Sequence, residues 1–282
     1  SIASPDIAVI VNIGTMHIEH LGSREGILQA KMEILEGMRE DGRVILNGDD
    51  DMLWGQKGNI PVKTVYFGID NAECSVRGSD ISEEDRLLRF QVINANLTYP
   101  VELAMEGRHY VSDALAAVAV GMELGVNPSK VQENLSRFQN MAGRQEIFEA
   151  RGCTVIKDCY NAGPESMAAA LTVLGKRQGR RIAVLGDMLE LGVCTHAEHY
   201  RVGRIAAEKS DIVFAYGPNA GRVIDGALTG GIPGNWAKAF DDHGELAATL
   251  KRTVRPGDVM LVKGSRGMHM EIALELFLKD ET

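Results

Sequence analysis

Long apolar runs and an excess of basic charge are both missing from this 282-residue chain. No segment approaches the roughly 20 consecutive apolar residues that a membrane-crossing helix needs. The N-terminus lacks a charged region followed by an apolar one, and a cytoplasmic protein is the default expectation. A net charge of −9 and a pI near 5.3 argue against coating nucleic acid. They leave room for anionic small ligands, which need only a local positive site. Cysteine is scarce: Cys74, Cys153, Cys159 and Cys194 are the whole set. None forms a C-x-x-C pair, and their spacing fits neither a zinc site nor a disulfide framework. Cys153 and Cys159 fall in an apolar strand and read as small core residues of a protein kept reduced. Nowhere is there a G-x-x-x-x-G-K-[ST] phosphate loop, nor a G-x-G-x-x-G after a strand, so a dinucleotide site is poorly supported. Internal repeats and low-complexity tracts are absent as well.

What remains is an ordinary globular composition, 45% hydrophobic and 24% charged, long enough for two domains. "DIAVIVNI" (6–13) is a continuous apolar run, expected as a strand covered on both faces. It starts almost at once, which suggests a piece of a longer protein. "SREGILQAKMEILEGM" (23–38) has helical spacing, with Ser23 as N-cap. "RVILNGDD" (43–50) and "VKTVYFGI" (62–69) read as strands. From Cys74 to Met105, "LLRFQVI" and "LTYPVELAM" read as short, partly alternating strands, expected antiparallel. Helices are expected at "VSDALAAVAVGMELG" and at "PSKVQENLSRF", where Pro128 suits the first turn.

The polar stretch "QNMAGRQEIFEARG" follows, and the domain boundary is placed at 142/143. Beyond it, strands at "CTVIKDC", "RIAVLGDM", "DIVFAYG" and "DVMLVKGS" alternate with helices at "PESMAAALTVLG", "HAEHYRVGRIAAEKS", "HGELAATLKRTV" and "MHMEIALELFLKD". Such alternation predicts a doubly wound, mostly parallel sheet, with ligands outside the carboxyl ends of the strands. Four strand ends there carry polar residues: "KDCYNAGP", "LGDMLELG", "AYGPNAG" and "VKGSRGMHM". Any strand-to-helix loop is polar and glycine-rich, so one alone says little. Together they line one edge of the sheet. Lys263 followed by Gly-Ser-Arg-Gly could hold an anion on backbone N–H groups and two cations, although Arg266 equally suits a surface cap. In the first part, His17, Glu19 and His20 lie on a strand exit and Lys31 on the next helix. A His with a carboxylate could bind a metal. A lone loop His is more often a polar surface residue, and such a lysine more often snorkels.

In order, "NIGTMHIEHLGSREGILQAKMEI", "ILNGDDD", "GRHYVSDALAAVAVG", "AGRQEIFE", "IKDCYNAGPESMAAAL", "AVLGDMLELG" and "VKGSRGMHME" resemble the Mur ligases of peptidoglycan synthesis, and among them the MurF type. The resemblance covers essentially the whole chain. It implies a fold: the C-terminal half of a central ATPase domain (1–142), a mostly parallel sheet with a small antiparallel part, then a Rossmann-like doubly wound α/β domain (143–282). It also implies that the family's N-terminal domain and its G-T-N-G-K-T loop precede this stretch, and that the stretch alone is inactive without that loop. The implied activity is ATP-dependent amide bond formation. D-Ala-D-Ala is joined to UDP-MurNAc-tripeptide through an acyl phosphate, with Mg²⁺, in a cytoplasmic monomer and without nucleic acid or membrane partners.

Residue by residue, His17 matches a Mg²⁺ ligand. Lys31 matches a lysine that is carbamylated in many Mur ligases and stands near a second metal. Asn47 and Asp49 fall in a matching loop. His109 keeps the family identity, while Asp113 stands where an Asn contacts adenine and Tyr110 replaces another Asn. An ionised Asp accepts but does not donate as an amide does. Arg144 matches an arginine that reaches the nucleotide phosphates, and Asp158 an acid on the ribose hydroxyls. Tyr160 and Asn161 share its turn, while Gly163 replaces a usual Asn. Asp187, Glu190, Lys263, Ser265 and Arg266 match loops near the incoming dipeptide, with Arg266 or Lys263 as partner of its carboxylate. Two other readings stand beside this one. One is a non-catalytic relative that binds a nucleotide or a partner. The other is a related amide ligase of the folylpolyglutamate or cyanophycin type, which the D-x-Y-N-A and K-G-S-R-G loops disfavour.

Overall fold

The computed structural model of the chain describes residues 4–84, 86–95 and 97–279. It divides into two compact units, Ser1–Gln139 and Asn140–Thr282.

The N-terminal unit runs β1 (Ile7–Ile10), α1 (Ile18–Leu21), α2 (Arg24–Met32), β2 (Arg43–Asn47), α3 (Asp51–Trp54), β3 (Lys63–Gly68), β4 (Val76–Glu84), β5 (Leu87–Asn94), β6 (Leu97–Leu103), α4 (His109–Glu123) and α5 (Pro128–Ser136). Its six strands lie in chain order. β1 to β4 pair in parallel, while β4, β5 and β6 pair antiparallel. Ser23 caps α2 by accepting from Gly26 N–H, and Asn127 caps α5 ahead of Pro128. The expected helix over 23–38 tightens after Met32 into a 3₁₀ turn, Glu33–Gly37. β1 departs from expectation too. Ala8 and Ile10 are buried but Val9 is 37% exposed, because it points to the face where α4 packs over β2 to β5 and leaves the edge strand β1 less covered. Pro100 sits in β6, the other edge, where its missing N–H breaks no ladder. One face packs Ile45, Phe67, Phe90 and Val92 against Val111, Leu115 and Val118 of α4. The other packs Ala8, Val44 and Leu46 against Ile27 and Leu53.

The C-terminal unit runs β7 (Glu146–Ala150), β8 (Cys153–Asp158), α6 (Pro164–Gly175), β9 (Arg181–Gly186), α7 (Thr195–Lys209), β10 (Ile212–Tyr216), α8 (Ala220–Thr229), β11 (Ala237–Phe240), α9 (His243–Thr253), β12 (Val259–Lys263) and α10 (Met270–Leu278). Asp280, in the last expected helix, lies outside the described residues. The sheet order is β11-β10-β9-β12-β8-β7, parallel except for β7. α6, α7 and α8 cover one face through Met167, Leu171, Val202 and Val223. α9 and α10 cover the other through Leu246, Leu250, Leu274 and Phe277. This is a doubly wound sheet, and each such side chain contributes about 1.5–3 kcal/mol by leaving water. β12 returns between β8 and β9, so the winding reverses there. That reversal opens a crevice at the carboxyl ends of these strands.

Candidate functional site

The crevice is built by register. Lys263 is the in-register partner of Asp158 on β8 and of Leu185 on β9. Its Nζ donates to Asp158 Oδ2 at 2.6 Å and to the Asn161 carbonyl at 3.1 Å. Lys263 is 3% exposed. Next along the chain, a Cβ on Gly264 would press on Met270 Cγ and on Gly186 Cα at 3.0 Å, so the β12 and β9 exits approach this closely only through glycine. Ser265 then ties three loops together. Its N–H donates to Asp187 O (3.0 Å), its hydroxyl donates to Ala162 O (3.2 Å), and the same hydroxyl accepts from Leu189 N–H (2.9 Å).

Asp187, after β9, is also buried. Its carboxylate accepts from Asn219 N–H (2.9 Å) and Asn219 Nδ2 (2.8 Å), while its own N–H donates to Tyr216 O (3.1 Å). Behind it lies His199 of α7, fully buried. Met188 N–H donates to His199 Nε2 at 3.0 Å, so Nε2 is the unprotonated nitrogen. The proton sits on Nδ1, which donates to Thr195 O at 2.7 Å. The imidazole is therefore neutral, and its 3.7 Å approach to Asp187 is not an ion pair. Sequence reasoning missed His199 and the role of Asn219. The signal was present: 199, 202, 203 and 206 all lie on the buried face of α7, so this His falls on the core stripe.

The rim is more open. The Arg144 guanidinium lies 4.2 Å over the Tyr160 ring, and Tyr160 is 46% exposed. Tyr160 N–H donates to the carbonyl of Gly143, whose φ is +77°, and Gly143 N–H donates to the Glu146 carboxylate. Exposed Asn161 turns its Oδ1 back to Ala162 N–H. Gly163 supplies no capping side chain, and Ser166 Oγ accepts from its N–H instead. Glu190 is held with a left-handed φ of 62°. Arg266 is exposed at the rim, 3.4 Å from Glu271. Burial pushes the Cys159 thiol up to about 12, and it donates to Val262 O as a core residue.

In the N-terminal unit, His17 is exposed and left-handed (φ 65°) at the start of α1. Lys31 reaches back from α2 and donates to Asn12 O at 2.7 Å, with Asn12 Oδ1 at 3.4 Å. Crowding by surrounding protein lowers the Lys31 pKa against the opposing pull of Asp50, although the residue keeps solvent exposure. Asn47 Nδ2 donates to Val11 O (3.0 Å), and Asp49 N–H donates to Asn47 Oδ1 (2.9 Å). Asp49 accepts from Asp70 N–H (3.0 Å) and Asn71 N–H (2.8 Å), which shapes the turn after β3. His109 and Asp113 lie one turn apart on α4, exposed on one face, with the Tyr110 ring 4.3 Å from that of His109. Among the described residues, no group of three His, Cys, Asp or Glu side chains is set to hold a metal ion, and no helix is long and apolar enough to cross a membrane.

Against known proteins, residues 1–121 match the Mur ligase middle domain and residues 143–266 the Mur ligase, glutamate ligase domain. The chain belongs to the Mur ligase family. It is 35% identical to the UDP-N-acetylmuramoyl-tripeptide–D-alanyl-D-alanine ligase of Bacillus subtilis, over 96% of this chain and 58% of that protein. It is 31% identical to the Escherichia coli ligase of the same name, over 96% of this chain and 60% of the other. The chain thus spans less than two thirds of these relatives' length. A crystal structure of MurF from Acinetobacter baumannii superposes with a TM-score of 0.88 at 31% identity, over 98% of this chain and 60% of that one. MurF from Thermotoga maritima in complex with ADP superposes with a TM-score of 0.83 at 26% identity, over 98% and 62%.

Proposed function

We propose that this chain is the larger part of a MurF-type ligase that uses ATP to join D-Ala-D-Ala to UDP-MurNAc-tripeptide. The observation that carries the reading is its match, over nearly all its length, to ligases of that name. The convergence of the family's motif loops on one sheet edge supports it. On this reading 1–142 is the second half of the central ATP-binding domain and 143–282 the C-terminal ligase domain. The protein acts as a cytoplasmic monomer, without nucleic acid or membrane partners.

A carboxylate is a poor electrophile, so the tripeptide's terminal oxygen first attacks the γ-phosphorus of ATP and ADP leaves. The free amine of D-Ala-D-Ala then attacks the acyl carbon, loses a proton, and expels inorganic phosphate. The protein's part is to neutralise charge and to keep water from the acyl phosphate. We assign Arg144 to the nucleotide phosphates, Asp158 to the ribose hydroxyls, and Tyr160 and Asn161 to the same turn. His109 and Asp113, one turn apart on α4, are assigned to the adenine. Asp187, Glu190, Lys263, Ser265 and Arg266 build the side that receives the dipeptide, with exposed Arg266 as partner for its carboxylate.

His17 and Lys31 are the assigned Mg²⁺ residues, but as they stand they do not fit the ion. The Lys31 ammonium donates to Asn12 and offers no lone pair. A carbamate on that nitrogen would supply anionic oxygen, and the lowered pKa favours the neutral amine that such a modification needs.

The test is phosphate release with Mg-ATP and UDP-MurNAc-tripeptide, with and without D-Ala-D-Ala. The protein as its gene encodes it is expected to show dipeptide-dependent turnover, and turnover indifferent to the dipeptide would sink the reading. The 282 residues alone contain no phosphate loop and are expected to be inactive.

A further inference from the structure

We propose that Lys263 is a positioning residue, joining the β12 and β8 exits so that it acts on the reaction through Asp158 and touches no substrate. The inference rests on the ligase reading above. A lysine in the K-G-S-R-G loop invites assignment to a substrate carboxylate, yet three observations point elsewhere. Lys263 is 3% exposed, which leaves an incoming carboxylate almost no surface to approach. Two of its donors are committed, to Asp158 Oδ2 at 2.6 Å and Asn161 O at 3.1 Å. A competing anion would have to leave the Asp158 carboxylate unpaired in a site where its side chain is only 18% exposed. Nor is the pair a chance of rotamers, since strand register sets Lys263 beside Asp158.

Chemistry supports a lysine in this role. An ammonium is a compact point charge with three rotatable donors, able to serve a carboxylate and a carbonyl in different directions. Asn161 O and Ala162 O are neighbours on the turn, and Lys263 takes the first while Ser265 takes the second. The two residues therefore hold two successive peptide carbonyls in the turn that carries Tyr160 and Asn161. Arg266 remains the exposed cation of this loop.

The experiment is a double-substitution cycle in the protein as its gene encodes it, read by KM for ATP and for D-Ala-D-Ala separately. Lys263→Met is expected to raise KM for ATP by about tenfold or more, with KM for the dipeptide changed less than about threefold. On an Asp158→Asn background the same change is expected to add less than about twofold, because the partner it acts through is already altered. The Asp158→Asn, Lys263→Met pair removes both charges, so it is expected to fold even if the single lysine variant does not. A rise of about tenfold in KM for the dipeptide, on both backgrounds, would overturn the proposal and make Lys263 a substrate contact. If the unsubstituted protein shows no dipeptide-dependent turnover, the ligase reading falls by itself. Lys263 is then judged by amide exchange over residues 159–163, which Lys263→Met should speed by about tenfold if the brace exists. Unchanged exchange there would overturn it.

Discussion

Asp49 and Asp50 in the N-terminal unit and Asp158 and Asp187 in the C-terminal unit all stand at or just past a strand's carboxyl end, but they anchor their loops differently. Asp49 gives its carboxylate to the backbone N–H groups of Ile69, Asp70 and Asn71. Asp50 gives its own to Ile13, Met52 and Leu53. In the C-terminal unit, Asp158 is held by the Lys263 side chain and Asp187 by both the backbone and the side chain of Asn219. Both pairs span strands distant in sequence, since Asp50 reaches back to Ile13 and Asp187 on to Asn219. The first pair ends on backbone N–H groups alone, whereas each of the second also engages a partner side chain. In the C-terminal unit Ser265 further joins the turn after β8 to the exit of β9, so its exits form one chain of ties through side chains. Loss of one tie should spread along that chain, and in the N-terminal unit stay with the backbone segments that the carboxylate holds.

Asp187→Ala is the strongest way to break the linked edge. It strips a buried acceptor from Asn219 and should cost about 3 kcal/mol. Amide exchange should rise across the β9, β10 and β12 exits together, and exchange confined to Asp187 and its neighbours would refute the linkage. Next is His199→Leu, which leaves Met188 N–H and Thr195 O without their partner and should cost about 2 kcal/mol by urea unfolding. Asp50→Ala removes the cap of α3 and should cost about 1 kcal/mol. Its exchange effect should be limited to residues 13 and 50–54.

The smallest effect expected is a pH dependence at Lys31. Its folded pKa lies below the ordinary lysine value of 10.5, so the folded state holds this proton less tightly than the unfolded one. The cost of charging it is fully present below the folded pKa and fades as pH rises to 10.5, so stability should climb with pH in that window. Lys31→Met should flatten that climb in unfolding midpoints, and an identical slope in both proteins would show that Lys31 is not its source.

Much of this was readable from the residues. Apolar β and amphipathic α stretches mark β8, β9, β10 and β12 with their helices, and the motif loops mark the sheet edge. β4 escaped because "VRGSDISEE" is polar, its burial alternating along the strand. β7 escaped because "EIFEA" lies in a polar segment and is ordered by antiparallel pairing with β8. α8 was passed over because Gly221 and Gly226 weaken its local signal. Gly226 is informative in three dimensions, since a Cβ there would be driven into the Tyr200 carbonyl where α8 crosses α7, whereas Gly221 faces open space.

The sequence by itself determined which loops share one edge of the C-terminal sheet, because βα alternation puts strand exits on one edge whatever the side chains do. Tertiary structure decided which of those residues face solvent and which are consumed as ties. Lys263 and Arg266 are three positions apart and alike in charge, yet one is buried against Asp158 and the other lies on the rim. That difference comes from the return of β12 between β8 and β9, which pairs it with β8 more than a hundred residues earlier, a contact that no local pattern encodes.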